Sequence, residues 1–193
     1  MKLVKYLVYT LIAVLTCSCG EEAVPKPQSY FRIELPRKTY NPVDTLSCFA
    51  FELPDYAFVR VSPDMPAGER CWYNVYYPRF KAEVYLTYKK IDKDVTLADL
   101  SEDLYQTAYG HSVRADNITS AVYSYPEQRK SGVIYKVDGN VASQVQFSVT
   151  DSSANFVRGS LYFACTPNKD SLAPVVEFIR KDIDHMIRTF RWK

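Results

Sequence analysis

The side chains that could perform catalysis are few in this sequence. There are two histidines, His111 and His185. Catalysis would require a nucleophile, an acid or base and an orienting group within hydrogen-bond reach. His111 extends the apolar stripe of a predicted helix, and His185 follows Asp182 at helical spacing, which is most simply an exposed helix contact. The sequence has no GxSxG, HExxH or glycine-rich phosphate motif and no zinc-type cysteine spacing. We therefore expect no enzyme, no cofactor and no metal site.

The cysteines suggest a different chemistry, which begins at the N-terminus. Lys2 and Lys5 flank the start of an apolar run that ends near Leu15, and Ser18 directly precedes Cys19. This run is too short to span a bilayer as a mature helix and is typical of a secretory signal. A cysteine after a small residue resembles a bacterial lipobox, in which a lipid that carries acyl chains such as palmitate is attached to the thiol and cleavage makes that cysteine the new N-terminus. We therefore predict lipidation at Cys19.

Two alternatives stay open for this N-terminal segment. Thr16, and not Leu, stands three residues before Cys19, which leaves Cys17 as a weaker lipidation site. The segment could also belong to an ordinary secreted protein that is cut nearby. We predict a signal peptide at residues 1–18, a lipidated, proline-containing tether at residues 19–28 and a single domain at residues 29–193.

The charge of the mature chain argues against nucleic acid as a partner. Lys2 and Lys5 leave with the signal, so the 24 basic residues become 22, which equals the 22 acidic residues, and the formal net charge falls from +2 to 0. No block of Lys and Arg remains that could follow a phosphate backbone. Membrane attachment would come from the lipid at the N-terminus.

The remaining cysteines fit an oxidising compartment. Cys48 and Cys71 each lie at the edge of a strand-like segment, and we favour a disulfide between them over two free thiols, although spacing alone does not fix the geometry. Cys165 ends the apolar side of a predicted strand, so we expect it to be a buried free thiol.

Three alternating segments between Ser131 and Cys165 predict an antiparallel meander. Its apolar face is predicted from one set of side chains on each strand: Val133, Tyr135 and Val137; Val145, Phe147 and Val149; Val157, Leu161 and Phe163. The opposite face is unusually polar and includes Gln146, Arg158 and Tyr162. A solvated sheet surface is the simpler interpretation. The alternative interpretation is a face that binds a peptide or a glycan. A cluster of tyrosines supports this alternative: Tyr73, Tyr76, Tyr77, Tyr85 and Tyr88.

Two helices complete the pattern. Thr96 and Asp99 form a capping-box pattern before a helix that we expect to end at Gly110. A second helix is predicted near the C-terminus, with Asp170 or Ser171 as its cap and with an apolar stripe that packs across the sheet: Val176, Ile179, Ile183, Met186, Ile187 and Phe190. The order of elements predicts an α+β fold, an antiparallel sheet packed by two main helices, and by architectural analogy an α-β-α sandwich of the PsbP and Mog1 type.

Blocks across nearly all of the mature chain resemble a known family. They include Cys71-Trp72, Ala108-Tyr109-Gly110-His111, Gly139-Asn140-Val141-Ala142-Ser143, Arg158-Gly159-Ser160-Leu161-Tyr162-Phe163 and Thr189-Phe190 with Trp192. The chain resembles the gliding-motility lipoproteins of the GldD family, found in bacteria that use type IX secretion. The resemblance implies a non-catalytic lipoprotein that is needed for gliding or for type IX export.

On this basis we expect a membrane-tethered assembly or scaffold factor, with a periplasmic peptide- or glycan-binding module as the alternative. The resemblance implies partners among other gliding and type IX secretion proteins, especially the lipoproteins of the ring under the outer membrane. It also favours the outer membrane, with the domain facing the periplasm. The sequence does not indicate an oligomeric state.

Overall fold

The computed structural model describes residues 33–110 and 113–193, and these contain ten strands and two α-helices. The strands are β1 Tyr40–Val43, β2 Phe49–Pro54, β3 Phe58–Val61, β4 Tyr73–Tyr77, β5 Ala82–Lys90, β6 Ala115–Tyr125, β7 Lys130–Gly139, β8 Ser143–Thr150, β9 Asn155–Phe163 and β10 Arg191–Trp192. The helices are α1 Leu97–Tyr109 and α2 Lys169–Thr189.

Seven strands form one antiparallel sheet in the order β3-β4-β5-β9-β8-β7-β6. The predicted meander is its β7-β8-β9 part. A smaller antiparallel sheet has the order β1-β2-β10. Strand β6, Ala115–Tyr125, lies at one edge of the large sheet.

One face of the large sheet packs against α2. All six predicted stripe residues of this helix are buried, together with the predicted apolar side chains of β8 and with Val157 and Leu161 of β9. Phe49 of β2 stacks on Phe190, with ring centroids 5.0 Å apart, and so brings the smaller sheet into the same core. Gly159 is required here, because a Cβ at this position would lie 2.1 Å from the Phe147 ring.

The other face is covered in part by α1, and this corrects the expectation of a solvated surface. Gln146 is 0% exposed, and Gln144, Ser148, Thr150 and Ser160 are also buried. Leu104 and Ala108 of α1 pack against Tyr135 on this face. Helices on both faces make a three-layer sandwich, so the predicted α+β class with α-β-α layers is confirmed.

The pairing of β7 corrects a second expectation. Tyr135 pairs with Gln146 and Ile134 pairs with Phe147, and residues that pair directly across two strands share a face. Val133, Tyr135 and Val137 therefore lie on the polar face, where Val133 and Tyr135 pack with α1, and not with the apolar side chains of β8. Because the side-chain period is two, a shift of one residue in the predicted pairing was enough to exchange the faces.

The helix ends are set by local hydrogen bonds. The predicted capping box is confirmed: Thr96 accepts a hydrogen bond from the Asp99 backbone, and the Asp99 side chain accepts one from the Thr96 backbone. Gly110 is the C-cap of α1. The predicted cap of α2 was wrong, because Asn168 holds that position and accepts a hydrogen bond of 3.2 Å from the Ser171 N–H.

The structure joins Cys48 and Cys71 by a disulfide, with Cα atoms 6.1 Å apart. Cys165 is a free thiol, but it is exposed, which corrects the expectation of burial. The reason is that β9 ends at Phe163, so the alternation of buried and exposed side chains does not continue to residue 165.

The turn between β8 and β9 is organised by Asp151. Its carboxylate accepts hydrogen bonds from the N–H groups of Ser153, Ala154 and Asn155, at 3.0, 2.8 and 2.9 Å, and from the Asn155 side chain at 2.7 Å. Burial by itself raises the pKa of Asp151, but these hydrogen bonds outweigh burial and hold the pKa well below its usual range.

This pKa shift predicts a loss of stability in acid. A carboxyl whose pKa is lowered by folding contributes stability above the unfolded value of about 4, and that stability is lost as the pH falls below it. We expect Asp151→Asn to lower the melting temperature at pH 7, and the difference from wild type to shrink as the pH falls to about 2. Thermal melts followed by circular dichroism across this pH range test the prediction, with the exposed Asp64→Asn variant as control. A difference in melting temperature between Asp151→Asn and wild type that does not change with pH would contradict it.

Candidate functional site

A concave site on the polar face lies between β5 and β9, beside α1. It is a pocket of about 390 Å³ lined by Tyr85, Thr87, Arg158, Ser160 and Tyr162. Register places these side chains together, because Tyr85 pairs with Ser160 and Thr87 pairs with Arg158. The pocket combines two phenol rings, two hydroxyl groups and one guanidinium group, which is a set of groups suited to a polar ligand.

Arg158 is oriented by α1. Its Nη1 donates to the Asp103 carboxylate at 2.6 Å and lies 3.4 Å from the Thr107 hydroxyl. Its Nε and Nη2 have no hydrogen-bond partner among residues 33–110 and 113–193. Because a guanidinium has five N–H donors in a fixed fork, one side of Arg158 is available to a carboxylate while the other is held by the helix.

The two tyrosines of the pocket meet edge to face, with ring centroids of Tyr85 and Tyr162 5.4 Å apart. Burial raises the pKa of the Tyr85 hydroxyl, and the neighbouring Glu83 carboxylate raises it further. The phenol therefore stays protonated at neutral pH and can donate a hydrogen bond.

Of the predicted binding residues, the structure brings Arg158 and Tyr162 into the pocket and places Gln146 on the neighbouring strand. Gln146 pairs with Ser160, and both polar atoms of its side chain are buried without a hydrogen-bond partner in the described part of the chain. Sequence reasoning missed Thr87, because the pairing of β5 with β9 joins segments about 70 residues apart and leaves no local signal, and it did not single out Ser160 as a binding residue, although Ser160 lies between Arg158 and Tyr162 on the same face of β9.

The predicted tyrosine cluster is divided by the sheet. Tyr73, Tyr77 and Tyr88 are buried on the α2 face, whereas Tyr76 and Tyr85 lie on the opposite face. The first three are therefore core residues, and only Tyr85 contributes to the pocket.

A second polar cluster surrounds Asp182, and here the predicted exposed contact with His185 was wrong. Asp182 is 1% exposed. Its carboxylate accepts hydrogen bonds from Lys38, from the Tyr40 hydroxyl at 2.8 Å and from the Tyr56 hydroxyl at 2.8 Å. Burial, together with the bond to Asp182, raises the pKa of both tyrosines, so they remain donors.

His185 instead bonds to Glu52, with Nε2 and Oε2 2.7 Å apart, and stacks on Tyr40 at a centroid distance of 3.6 Å. The Asp182 cluster fixes the segment around residues 38–40 to α2. His111 and the predicted lipidation site Cys19 lie outside the described residues, and so does the alternative Cys17.

Comparison with known sequences identifies the family. The sequence model of the family described as gliding motility lipoprotein GldD matches residues 20–192. The chain belongs to this family. Its role is thus in gliding motility, as a lipid-anchored protein associated with a membrane. Curated proteins provide no match to this gliding-motility lipoprotein.

Among solved structures, the lipoprotein is similar to the solution structure of cyanobacterial PsbP (CyanoP) from Synechocystis sp. PCC 6803. The TM-score is 0.47 and the identity is 14%, and the alignment covers 88% of this chain and 100% of that chain. In the described part of the lipoprotein, no helix has the length and apolar character needed to cross a membrane. Those same residues contain no group of three or more His, Cys, Asp or Glu side chains that could hold a metal ion.

The Asp182 cluster yields a stability prediction. Asp182→Ala leaves Lys38 and two phenols without their shared acceptor, and removing one partner of a buried charged pair costs about 3–5 kcal/mol. The matched control is Asp184→Ala on the same helix, which removes a more exposed ion pair with Arg180 and should cost less than about 1 kcal/mol. Urea unfolding measures both; equal midpoints for the two variants would show that the cluster is not a major source of stability.

Proposed function

We propose that this lipoprotein is a membrane-tethered adaptor of the gliding and type IX secretion machinery, which acts by binding protein partners and not by catalysis. The observation that carries the proposal is the open edge of the large sheet at β6. Ala115–Tyr125 is an eleven-residue strand that, among the described residues, pairs only with β7. An edge strand presents a row of unpaired N–H and C=O groups, which is a template for another strand.

The composition of β6 leaves this edge without the usual protection. Proteins commonly block exposed edges with lysine, proline, bulges or very short strands. From Asn117 to Tyr125 the strand has no charged residue and no proline, and its only register shift lies between Ala115 and Asn117. The side chain of Val122, near the middle of this segment, is 84% exposed.

The opposite edge of the same sheet provides the contrast. Strand β3 has only four residues, and one of them is Arg60, which forms an ion pair of 2.6 Å with Glu83. Shortness and charge are protective features. Within one sheet, therefore, one edge is protected and the other is open, which favours β6 as the surface that receives an uncharged extended segment of a partner.

The predicted anchor would keep the domain close to a membrane surface. Lipidation at Cys19 and a proline-containing tether at residues 19–28 would hold the domain there, with a reach of roughly 3 Å per tether residue. The absence of an obvious inner-membrane retention signal favours the outer membrane with the domain in the periplasm. Glu21 and Glu22 would instead favour surface display, and protease treatment of whole cells separates these two orientations.

The edge can be tested with one added charge. Val122→Lys should leave folding intact because the side chain is exposed, but a lysine on an edge strand opposes strand addition. In a deletion strain complemented with this variant, we expect normal protein levels but strongly reduced gliding and type IX cargo export.

The matched control is Val61→Lys on β3, where Val61 is 60% exposed and also lies on a sheet edge. This variant should restore both activities. If Val122→Lys restores gliding and export as well as the control does, the β6 edge is not the partner surface.

The anchor has its own test. We expect Cys19→Ala to leave the protein without palmitate label, to move it from the membrane to the soluble fraction and to abolish complementation. Cys17→Ala should behave as wild type. Membrane retention and labelling of Cys19→Ala, with loss in Cys17→Ala, would place the lipid on the other cysteine.

A further inference from the structure

The pocket on the polar face is the strongest candidate for a ligand site, and it is separate from the β6 edge. The strands that form its floor, β5 and β9, lie inside the sheet and are each paired on both sides. Their backbone N–H and C=O groups are therefore engaged, and an extended peptide could not add to them as a strand. Recognition at this site must come from side chains.

Those side chains match a sugar better than a peptide. The phenol rings of Tyr85 and Tyr162 offer apolar faces and edges for ring C–H groups, and the hydroxyls of Thr87 and Ser160 can both donate to and accept from ligand hydroxyls. The volume of about 390 Å³ lies in the range of small-ligand sites. Arg158, with one side of its fork free, adds a place for a carboxylate.

Gln146 is a second, independent sign of a ligand. It is 0% exposed, yet its Nε2 and Oε1 both lack a hydrogen-bond partner among the described residues. A buried polar group without a partner is strongly disfavoured, and an apolar residue of the same shape would be better tolerated. Because Gln146 lies beside Ser160 across the β8-β9 pair, its donor and acceptor are next to the pocket floor.

The layer that covers Gln146 is held in place by few contacts. Only Leu104 and Ala108 of α1 are buried, and the helix meets the pocket through the ion pair between Asp103 and Arg158, in which Asp103 is largely exposed. Exposed ion pairs contribute little stability. Few contacts hold α1 in place, and local opening is easiest in such segments.

We propose that this pocket binds an acidic sugar that carries an acetamido group, with Arg158 holding the carboxylate and Gln146 pairing with the acetamido N–H and C=O after α1 shifts outward. The tyrosines bind the sugar ring, and the hydroxyls of Thr87 and Ser160 orient it.

Binding to the full-length lipidated protein in detergent can be measured by calorimetry with four probes. N-acetylmuramic acid carries both groups, N-acetylglucosamine lacks the carboxylate, glucuronic acid lacks the acetamido group, and the peptide Ala-Glu-Ala represents the peptide alternative. We expect N-acetylmuramic acid to bind tightest. Failure of every sugar to bind at millimolar concentration, or tighter binding of the peptide, would overturn the proposal.

Two variants assign the roles of the side chains. Arg158→Ala should weaken N-acetylmuramic acid roughly 10- to 100-fold, to the level of N-acetylglucosamine, because a charge-assisted pair is lost. Arg188→Ala, an exposed arginine on α2, is the control and should have no effect. Unchanged binding in Arg158→Ala would overturn the proposal.

Gln146→Leu should raise the melting temperature, since it removes two unpartnered polar atoms, and should weaken N-acetylmuramic acid without changing glucuronic acid. A Gln146→Leu protein that melts at a higher temperature and binds both sugars as wild type does would exclude Gln146 from the site. These binding measurements do not depend on the β6 edge, so their failure is distinguishable from failure of the adaptor function.

Discussion

Strand β8 is buried along its whole length, and both of its faces must therefore be covered. Its apolar face can be buried directly against α2, because Val145, Phe147 and Val149 need no partner except other apolar groups. Burial of its polar face is unfavourable unless each buried amide and hydroxyl group has a hydrogen-bond partner. The Thr150 hydroxyl has a partner, because it donates to the Asn155 carbonyl at 2.8 Å, but the Gln146 side chain has no hydrogen-bond partner in the described structure. Among the described residues, buried polar groups without a hydrogen-bond partner therefore include both side-chain polar atoms of Gln146 on the polar face and the Tyr77 hydroxyl on the α2 face.

The two helices differ in the number of side chains that they bury. Helix α2 is long, and eight of its side chains are buried, including Asp182, which forms an ion pair with Lys38 and accepts hydrogen bonds from two phenols. Helix α1 buries only two side chains, Leu104 and Ala108, in a small cluster with Tyr135. Local opening is easiest where few apolar contacts must be broken. Of the two outer layers, α1 is thus the one that can shift without unfolding the core, and it is also the one beside the pocket.

Much of the fold could be read from the sequence because its signals are local. Alternation marked the strands of the meander, Thr96 and Asp99 marked the start of α1, and the apolar stripe of α2 marked its buried face.

The features that the sequence did not predict depend on non-local contacts. The register of β7 against β8 decides whether Tyr135 lies on the apolar or the polar face, and no single strand contains that information. Asp182 looked like an exposed helix residue because its partners Lys38, Tyr40 and Tyr56 are more than 120 residues away. The pocket was predictable only in part for the same reason: Arg158 and Tyr162 lie on one strand, whereas Tyr85 and Thr87 reach them through a distant pairing.

The arrangement of the sheet keeps the two proposed interaction surfaces apart. The pocket lies at β5 and β9, and β8 and β7 separate it from the open edge at β6. With a strand spacing of about 4.8 Å, three steps from β9 to β6 correspond to roughly 14 Å. A strand added at β6 would extend the sheet outward in its own plane, away from the pocket, whereas a ligand in the pocket approaches perpendicular to that plane. The same domain can therefore hold a protein segment at its edge and a small polar ligand on its face at one time, because neither occupant lies in the path of the other.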